Sequence, residues 1–198
     1  MTSSSDKALP AEAFATIKTL CAKAWQRGLL SGFNGNVSLR EGEDMIITRS
    51  GAAKGSLETA DLSRVRLADG RLLAGGKASS EGELHRAIYT LQPEAKAIVH
   101  THPPKLLALF ACLPVARRLD IPIFEAEDLR RSLGFIPDFA PGSRELAEAA
   151  GLASRDSKAI WLERHGLAVW AGTPLAALAL SEELEHLAGV QLAMLAVR

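Results

Sequence analysis

The stretch 93-PEAKAIVHTHPP-104 contains the clearest strand pattern in the chain. The strand is predicted over residues 95–101, and the two prolines after His102 end it. Alternate side chains of a strand project from the same face, about 6–7 Å apart at Cα, so His100 and His102 should point the same way. Two imidazoles at this spacing can bind one metal ion. The stretch therefore predicts a strand that carries two candidate metal ligands at its end.

A third histidine completes this candidate metal site. His165 lies between two apolar segments and precedes Gly166, a context typical of a sharp turn that aims a side chain into a site. Three imidazole ligands would leave one coordination position open, which distinguishes catalytic zinc sites from structural ones. The alternative is that His100 and His102 fall together by chance and are packed or solvated. Of the other histidines, His85 is expected to have a structural or supporting role, and His186 to be solvated.

The composition excludes several classes of protein. The chain has 198 residues, 47% of them hydrophobic, which suits one folded domain over residues 1–198. Its 23 basic residues balance 23 acidic ones, so we expect no nucleic-acid partner and no membrane-surface partner. Cys21 and Cys112 form neither a metal motif nor a disulfide framework. No apolar run reaches the ~20 residues of a membrane span, and residues 1–6 are polar rather than signal-like. These features together predict a cytoplasmic protein.

Helical and strand patterns account for most of the remaining chain. Helices are predicted over residues 10–28, 80–91, 105–112, 143–153 and 174–197. Further strands are predicted over residues 36–40, 44–49, 62–67, 159–163 and 167–171. Ser143 and Thr173 are expected to cap the last two helices. Residues 113–141 are rich in proline and show no clear pattern. Helices that flank several short strands predict a layered α/β domain.

Three loops of small residues are candidate anion sites. They cover residues 32–36, 48–51 and 78–82, and are rich in Gly, Ser and Asn. Their backbone N–H groups and hydroxyls could converge on a phosphate. The simpler interpretation of the third loop is a helix cap, with Glu81 as an acid favoured by the helix dipole. None of the loops matches a nucleotide-binding pattern. A carboxylate such as Glu81 near a metal can bind the metal or transfer protons.

Five motifs, in this order, resemble those of the class II aldolase/adducin superfamily over nearly the whole chain, from about residue 12 to the end. They are Gly35-Asn36-Val37-Ser38, Ile47-Thr48-Arg49-Ser50-Gly51, Ser79-Ser80-Glu81, the run from Pro93 to His102, and Arg164-His165-Gly166-Leu167.

This resemblance implies a three-layer α/β/α sandwich with a mainly antiparallel central sheet. It also implies a homotetramer with active sites at subunit interfaces. One zinc ion per subunit would be held by His100, His102 and His165, although imidazoles also suit cobalt, iron or nickel. Glu81 matches the family's acid–base residue. The residues that match the family's phosphate-binding positions are Asn36, Ser50, Gly51, Ser79 and Ser80.

The resemblance is nearest to the L-fuculose-1-phosphate aldolases, since Glu81 stands where the related L-ribulose-5-phosphate 4-epimerases carry Asp. It implies a zinc-dependent aldehyde-lyase that cleaves a ketose phosphate by a retro-aldol reaction, through a metal-stabilised enediolate. Glu81 would move the proton at the reacting carbon. One alternative is a sugar-phosphate dehydratase of the methylthioribulose-1-phosphate type. Another is a non-catalytic interaction domain similar to the adducin head.

The chain departs from these aldolases at one catalytic position. They carry a catalytic tyrosine shortly after an Ile-Pro pair, but here that stretch, residues 121–127, reads IPIFEAE. The single tyrosine of the chain, Tyr89, lies in a predicted helix instead. Glu125, Glu127 and Asp128 lie where a substitute could come from.

Overall fold

The computed structural model describes residues 9–197, which form six α-helices and one eight-stranded sheet. The helices are α1 (Ala11–Gln26), α2 (Gly82–Leu91), α3 (Pro104–Cys112), α4 (Phe124–Arg131), α5 (Arg144–Ala153) and α6 (Pro174–Ala196). The strands are β1 (Asn36–Glu41), β2 (Asp44–Thr48), β3 (Leu62–Arg66), β4 (Leu72–Gly75), β5 (Ala97–Thr101), β6 (Leu133–Ile136), β7 (Ala159–Leu162) and β8 (Gly166–Ala171). The polar segment at residues 1–6 lies outside the described residues.

The sheet has the strand order β4-β3-β2-β1-β5-β8-β7-β6. Every neighbouring pair is antiparallel except β6 and β7, which are parallel. Strand β5 lies in the middle, between β1 and β8, and all its residues are buried. The histidine-bearing strand is therefore covered on both faces.

Two hydrophobic cores separate the sheet from helices on either side. On one face, Ile17 of α1, Phe110 of α3 and Leu184 of α6 pack in one cluster with alternate strand residues. On the other face, Leu84 of α2 and Leu146 of α5 belong to the second cluster. This arrangement confirms the expected three-layer α/β/α sandwich with a mainly antiparallel sheet.

Local capping interactions define two helix starts as predicted. The Ser143 hydroxyl accepts a hydrogen bond from the Leu146 N–H at the start of α5, at 3.2 Å. Thr173 does the same for the Ala176 N–H at the start of α6, at 3.2 Å. Both are side-chain N-caps that satisfy otherwise unpaired helix donors.

Residues 113–141, whose sequence shows no clear pattern, contain ordered elements. It holds a 3-10 turn at Val115–Arg117, helix α4 and strand β6. Strand β6 forms because it pairs with β7, whose partner residues follow more than twenty positions later. Strand β4 at the opposite sheet edge was also not predicted. Within residues 9–197, no helix combines the length and apolar character that crossing a membrane requires.

Candidate metal centre

His100 occupies the centre of the candidate site. It lies on β5 opposite Asn36 of β1 and Ala168 of β8, and it is completely buried. Its Nδ1 lies 3.1 Å from the carbonyl oxygen of Leu167, which can only accept, so Nδ1 carries the proton. The other ring nitrogen, Nε2, is then the one with a free lone pair. Such a backbone contact is how metal-binding histidines are commonly oriented.

The three imidazoles expected from the sequence lie together. The ring centroid of His100 is 5.0 Å from that of His102 and 4.9 Å from that of His165, and the last two are 5.2 Å apart. One ligand nitrogen from each ring lies within 4.8 Å of the others.

These nitrogens fit a divalent metal ion. The Nε2 atoms of His100 and His102 are 3.1 Å apart. Two imidazole nitrogens on one tetrahedral zinc, each at ~2.0–2.1 Å, would be about 3.3 Å apart. The Nε2 atom of His165 faces the same place, since it and Nε2 of His100 lie 3.1 and 3.2 Å from the two oxygens of one carboxylate, that of Glu81. The donor set therefore suits zinc or a similar transition metal.

The carboxylate of Glu81 faces the same nitrogens. Its Oε1 lies 3.1 Å from Nε2 of His165, and its Oε2 lies 3.2 Å from Nε2 of His100. The side-chain amide of Asn36 donates a hydrogen bond to Oε2 at 2.8 Å. The residue immediately precedes α2 and is only 6% exposed. Its position allows it to act on a molecule bound at the histidines.

The charge state of Glu81 depends on these neighbours. Burial alone would raise the pKa of its carboxyl, but the neighbouring imidazoles of His100 and His165 and the hydrogen bond from the Asn36 amide outweigh that effect. The pKa of Glu81 is therefore held well below its usual range, and the group is ionised at neutral pH.

Two glycines permit the close packing of the three histidines. A Cβ atom at Gly166 would lie 2.5 Å from the carbonyl oxygen of Thr101 and 2.9 Å from Cδ2 of His102. At Gly35 it would lie 2.6 Å from the carbonyl oxygen of His100. Both positions explain why glycine follows the third histidine and precedes Asn36 in the sequence.

Three buried side chains close to the site, those of Ser38, His85 and Tyr89, are joined by hydrogen bonds. The Ser38 hydroxyl lies 2.7 Å from Nδ1 of His85 and 2.9 Å from the hydroxyl of Tyr89. His85 is fully buried, and burial, with a smaller contribution from His100, lowers its pKa to about 3. Burial raises the pKa of Tyr89. His85 is therefore a neutral supporting residue, as expected, whereas the involvement of Ser38 and Tyr89 could not be read from spacing alone.

The expected phosphate loops are adjacent in the structure. The Ser79 N–H donates to the Thr48 carbonyl, and the Ser50 N–H donates to the Lys77 carbonyl, both at 3.2 Å. The Ser79 hydroxyl accepts from the Glu81 N–H at 3.3 Å, which connects this loop to the carboxylate. Gly51 continues the first loop with a positive φ of 74°, and Ser50, Gly51 and Ser80 are exposed. Asn36 contacts Glu81 directly, as described above.

Lys54 is a site neighbour that sequence reasoning missed. It is almost fully buried, and its ammonium donates to the Phe33 carbonyl at 2.8 Å, joining the loop at residues 48–57 to the loop at residues 32–36. Burial lowers its pKa, partly offset by Cys21, Asp61 and Glu81. Its only sequence signal is a lysine four positions after Ser50.

The three acidic residues that could replace the catalytic tyrosine of the related aldolases are Glu125, Glu127 and Asp128. They lie on α4, and all are exposed. Glu125 and Asp128 line a groove between α4 and α6. Glu127 pairs with Arg131.

His186, on α6, is exposed as expected. Its neighbour Glu185 is buried, and its carboxylate accepts hydrogen bonds from the Lys105 and Leu106 N–H groups at the start of α3.

Comparison with known proteins agrees with this fold. The family model described as Class II Aldolase and Adducin N-terminal domain matches residues 15–192. An L-fuculose phosphate aldolase from Methanocaldococcus jannaschii is 32% identical, covering 75% of this chain and 78% of that protein. A 3-oxo-tetronate 4-phosphate decarboxylase from Pectobacterium atrosepticum is 38% identical, covering 85% and 78%. The crystal structure of an L-fuculose-1-phosphate aldolase from Thermus thermophilus aligns with a TM-score of 0.79 and 29% identity, covering 94% and 96%.

The fold, the histidine cluster and these relatives define a metal-dependent lyase. The chain belongs to the class II aldolase and adducin family.

Proposed function

We propose that this protein is a metal-dependent carbon–carbon lyase that cleaves a phosphorylated keto sugar or oxo sugar acid. The observation that carries the proposal is the Glu81 carboxylate, which faces the Nε2 atoms of His165 and His100 at 3.1 and 3.2 Å. When bound at the three imidazoles, zinc or a related metal would supply Lewis acidity for the negative charge that develops as the bond breaks.

The residues around this site have separate roles in the proposal. Glu81 relays a proton between water and the substrate carbon that carries the developing charge. Asn36 orients the Glu81 carboxylate through its 2.8 Å hydrogen bond. Ser50, Gly51, Ser79 and Ser80, with Asn36, bind the phosphate, and this binding energy acts away from the reacting bond.

Whether the substrate loses an aldehyde or CO2 depends on whether the site can remove a second proton. In a retro-aldol cleavage, a hydroxyl proton must be removed as the aldehyde forms, which needs a base in addition to Glu81. The single tyrosine, Tyr89, is buried and bonded to Ser38, so it is not available for this step. When the leaving group is a carboxylate, CO2 departs with no hydroxyl proton to remove. Decarboxylation is therefore the second candidate, and the relative named 3-oxo-tetronate 4-phosphate decarboxylase supports it.

One assay separates these reactions. Zinc-loaded protein would be incubated with L-fuculose 1-phosphate and with 3-oxo-tetronate 4-phosphate. Both substrates yield dihydroxyacetone phosphate on carbon–carbon cleavage, accompanied by an aldehyde or by CO2. Release of dihydroxyacetone phosphate from either substrate supports the proposal. The substrate that reacts shows whether the other product is an aldehyde or CO2. Loss of water from a ketose phosphate, or no reaction with an intact metal site, would contradict it in favour of the dehydratase or the non-catalytic domain.

The remaining proposals concern the molecule as a whole. We place residues 1–198 in a single domain, active in the cytoplasm as a homotetramer, with neither a nucleic-acid nor a membrane partner. Interface active sites would allow a residue of a neighbouring subunit to act as the second base, which the buried Tyr89 of the same subunit does not provide. Light scattering at several protein concentrations tests the tetramer directly.

A further inference from the structure

The three histidines are not fixed by the same kind of contact. His100 is oriented by its Nδ1 contact with the Leu167 carbonyl at 3.1 Å. The Nδ1 atom of His165 has no hydrogen-bond partner among residues 9–197 and is buried. Unlike that of His100, the orientation of the His165 ring is therefore not set by a hydrogen bond at Nδ1. Its position depends on the turn between β7 and β8 that carries it.

The Glu163 side chain provides a partly buried attachment of that turn to the rest of the protein, through Arg118. The Glu163 carboxylate accepts two hydrogen bonds from the guanidinium of Arg118, at 2.7 and 3.0 Å. The next residue, Arg164, has a positive φ of 59°, and the His165 N–H donates to the Leu162 carbonyl at 3.0 Å. The turn is thus tight, and a movement of Glu163 would be transmitted to His165 two residues later.

Arg118 is itself rigidly held. It is 6% exposed and also donates to the carbonyls of Leu113 and Phe110, at 2.9 and 2.7 Å. Its guanidinium lies over the rings of Phe110 and Phe135, 4.8 and 5.5 Å from their centroids. A planar guanidinium that makes four hydrogen bonds to fixed acceptors can position a carboxylate in a way that a lysine cannot.

The long C-terminal helix holds the backbone around Arg118. Gln191 of α6 accepts from the Leu119 N–H and donates to the Arg117 carbonyl, both at 2.7 Å. These contacts connect α6, through the segment at residues 117–119, to the turn at Glu163.

From these contacts we propose that Arg118 is a positioning residue for the metal centre: its paired contact with Glu163 holds the β7–β8 turn so that His165 reaches the ion. The proposal rests on the three-imidazole site of the proposed function.

The test measures metal binding separately from folding. Glu163→Gln keeps the size of a side chain that is 32% exposed, and Arg118→Lys keeps the charge but loses the planar fork. Both variants should bind Co2+ about 10–100-fold more weakly than the parent, as expected for outer-shell partners, with an altered Co2+ absorption spectrum. Asp138→Asn is the matched control, because it removes an exposed ion pair with Arg164 of the same turn, at 2.9 Å. It should leave Co2+ binding unchanged.

Double variants identify the route of the effect. In a His165→Ala background, Glu163→Gln should cause no further loss of Co2+ affinity, whereas in a His102→Ala background the loss should persist. A folded Glu163→Gln protein with the parent's affinity and spectrum would overturn the proposal. So would a loss that persists after His165 is removed. If the parent itself binds no metal, the proposed function fails as well, so the two failures can be told apart.

Discussion

The Nε2 atom of His165 lies 3.1 Å from Oε1 of Glu81. The two residues come from opposite halves of the chain, one from the β7–β8 turn and the other from the start of α2. Since Glu81 also faces His100 at 3.2 Å, its carboxylate is placed between two candidate ligands of one metal ion. This placement brings a carboxylate and candidate metal ligands together in one small site.

Replacing Glu81 by Gln should remove the proton relay without removing the metal ligands. We expect turnover to fall about 10²–10⁴-fold, the usual contribution of a positioned acid or base. Metal content, measured by elemental analysis of the purified variant, should stay at the parent's level. Unchanged turnover would exclude Glu81 from the chemistry.

Gly166→Ala should disturb the metal site through sterics alone. The added Cβ would meet the backbone carbonyl of Thr101 at 2.5 Å, so the strand or the turn must move. We expect the free energy of unfolding to fall by about 1–3 kcal/mol, together with weaker metal binding. Gly172→Ala is the control, because its nearest contact, the Glu94 carbonyl, would be 3.8 Å away. Equal stability of the two variants in urea titrations would refute this explanation.

The metal-free protein should lose stability in mild acid. Burial lowers the pKa of His85 in the folded state to about 3, whereas an unfolded histidine titrates near 6.5. Below pH ~6.5 the unfolded chain therefore binds a proton that the folded chain does not, and stability falls as pH decreases towards 3. For His85 alone the loss between pH 7.5 and 5.0 is about 2 kcal/mol.

Urea titrations with a chelator at both pH values test this expectation. His85→Gln, which cannot titrate, should lose less stability over the same interval, even if its stability is lower throughout. An identical loss in parent and variant would show that other groups cause the effect. Glu81 would add to the loss at still lower pH, since its folded pKa is also depressed.

The two thiols should differ in reactivity. Burial raises the pKa of the Cys21 thiol to about 12, and Cys112 is exposed. A disulfide reagent such as DTNB should therefore modify one thiol per native chain and two after denaturation, because only an accessible thiolate reacts. Native Cys112→Ser protein should release no chromophore. Rapid reaction of this variant would contradict the burial of Cys21.

Short sequence patterns predicted the features that depend on only a few neighbouring residues. The alternation around His100 and the glycine after His165 both pointed to candidate ligands, and the structure brings these histidines together. The N-caps at Ser143 and Thr173 were likewise predictable, because a cap depends on only three or four neighbouring residues.

Other features depend on contacts between distant segments and could not be predicted. Strand β6 forms by parallel pairing with β7, across a segment whose prolines hide any periodicity. The burial of Arg118 and Lys54 is also unexpected, since charged residues are usually exposed. Their burial follows from partners such as Glu163 and the Phe33 carbonyl, which spacing does not reveal.

The most direct measurement is a Zn2+ titration of the metal-free protein by calorimetry, compared with single alanine variants of His100, His102 and His165. The account predicts one ion per chain, and an affinity loss in each variant larger than the ~10–100-fold typical of outer-shell changes. His186→Ala, which alters an exposed histidine, should bind as the parent does. Undiminished binding by the His165→Ala variant would contradict the three-histidine centre on which the proposed lyase depends.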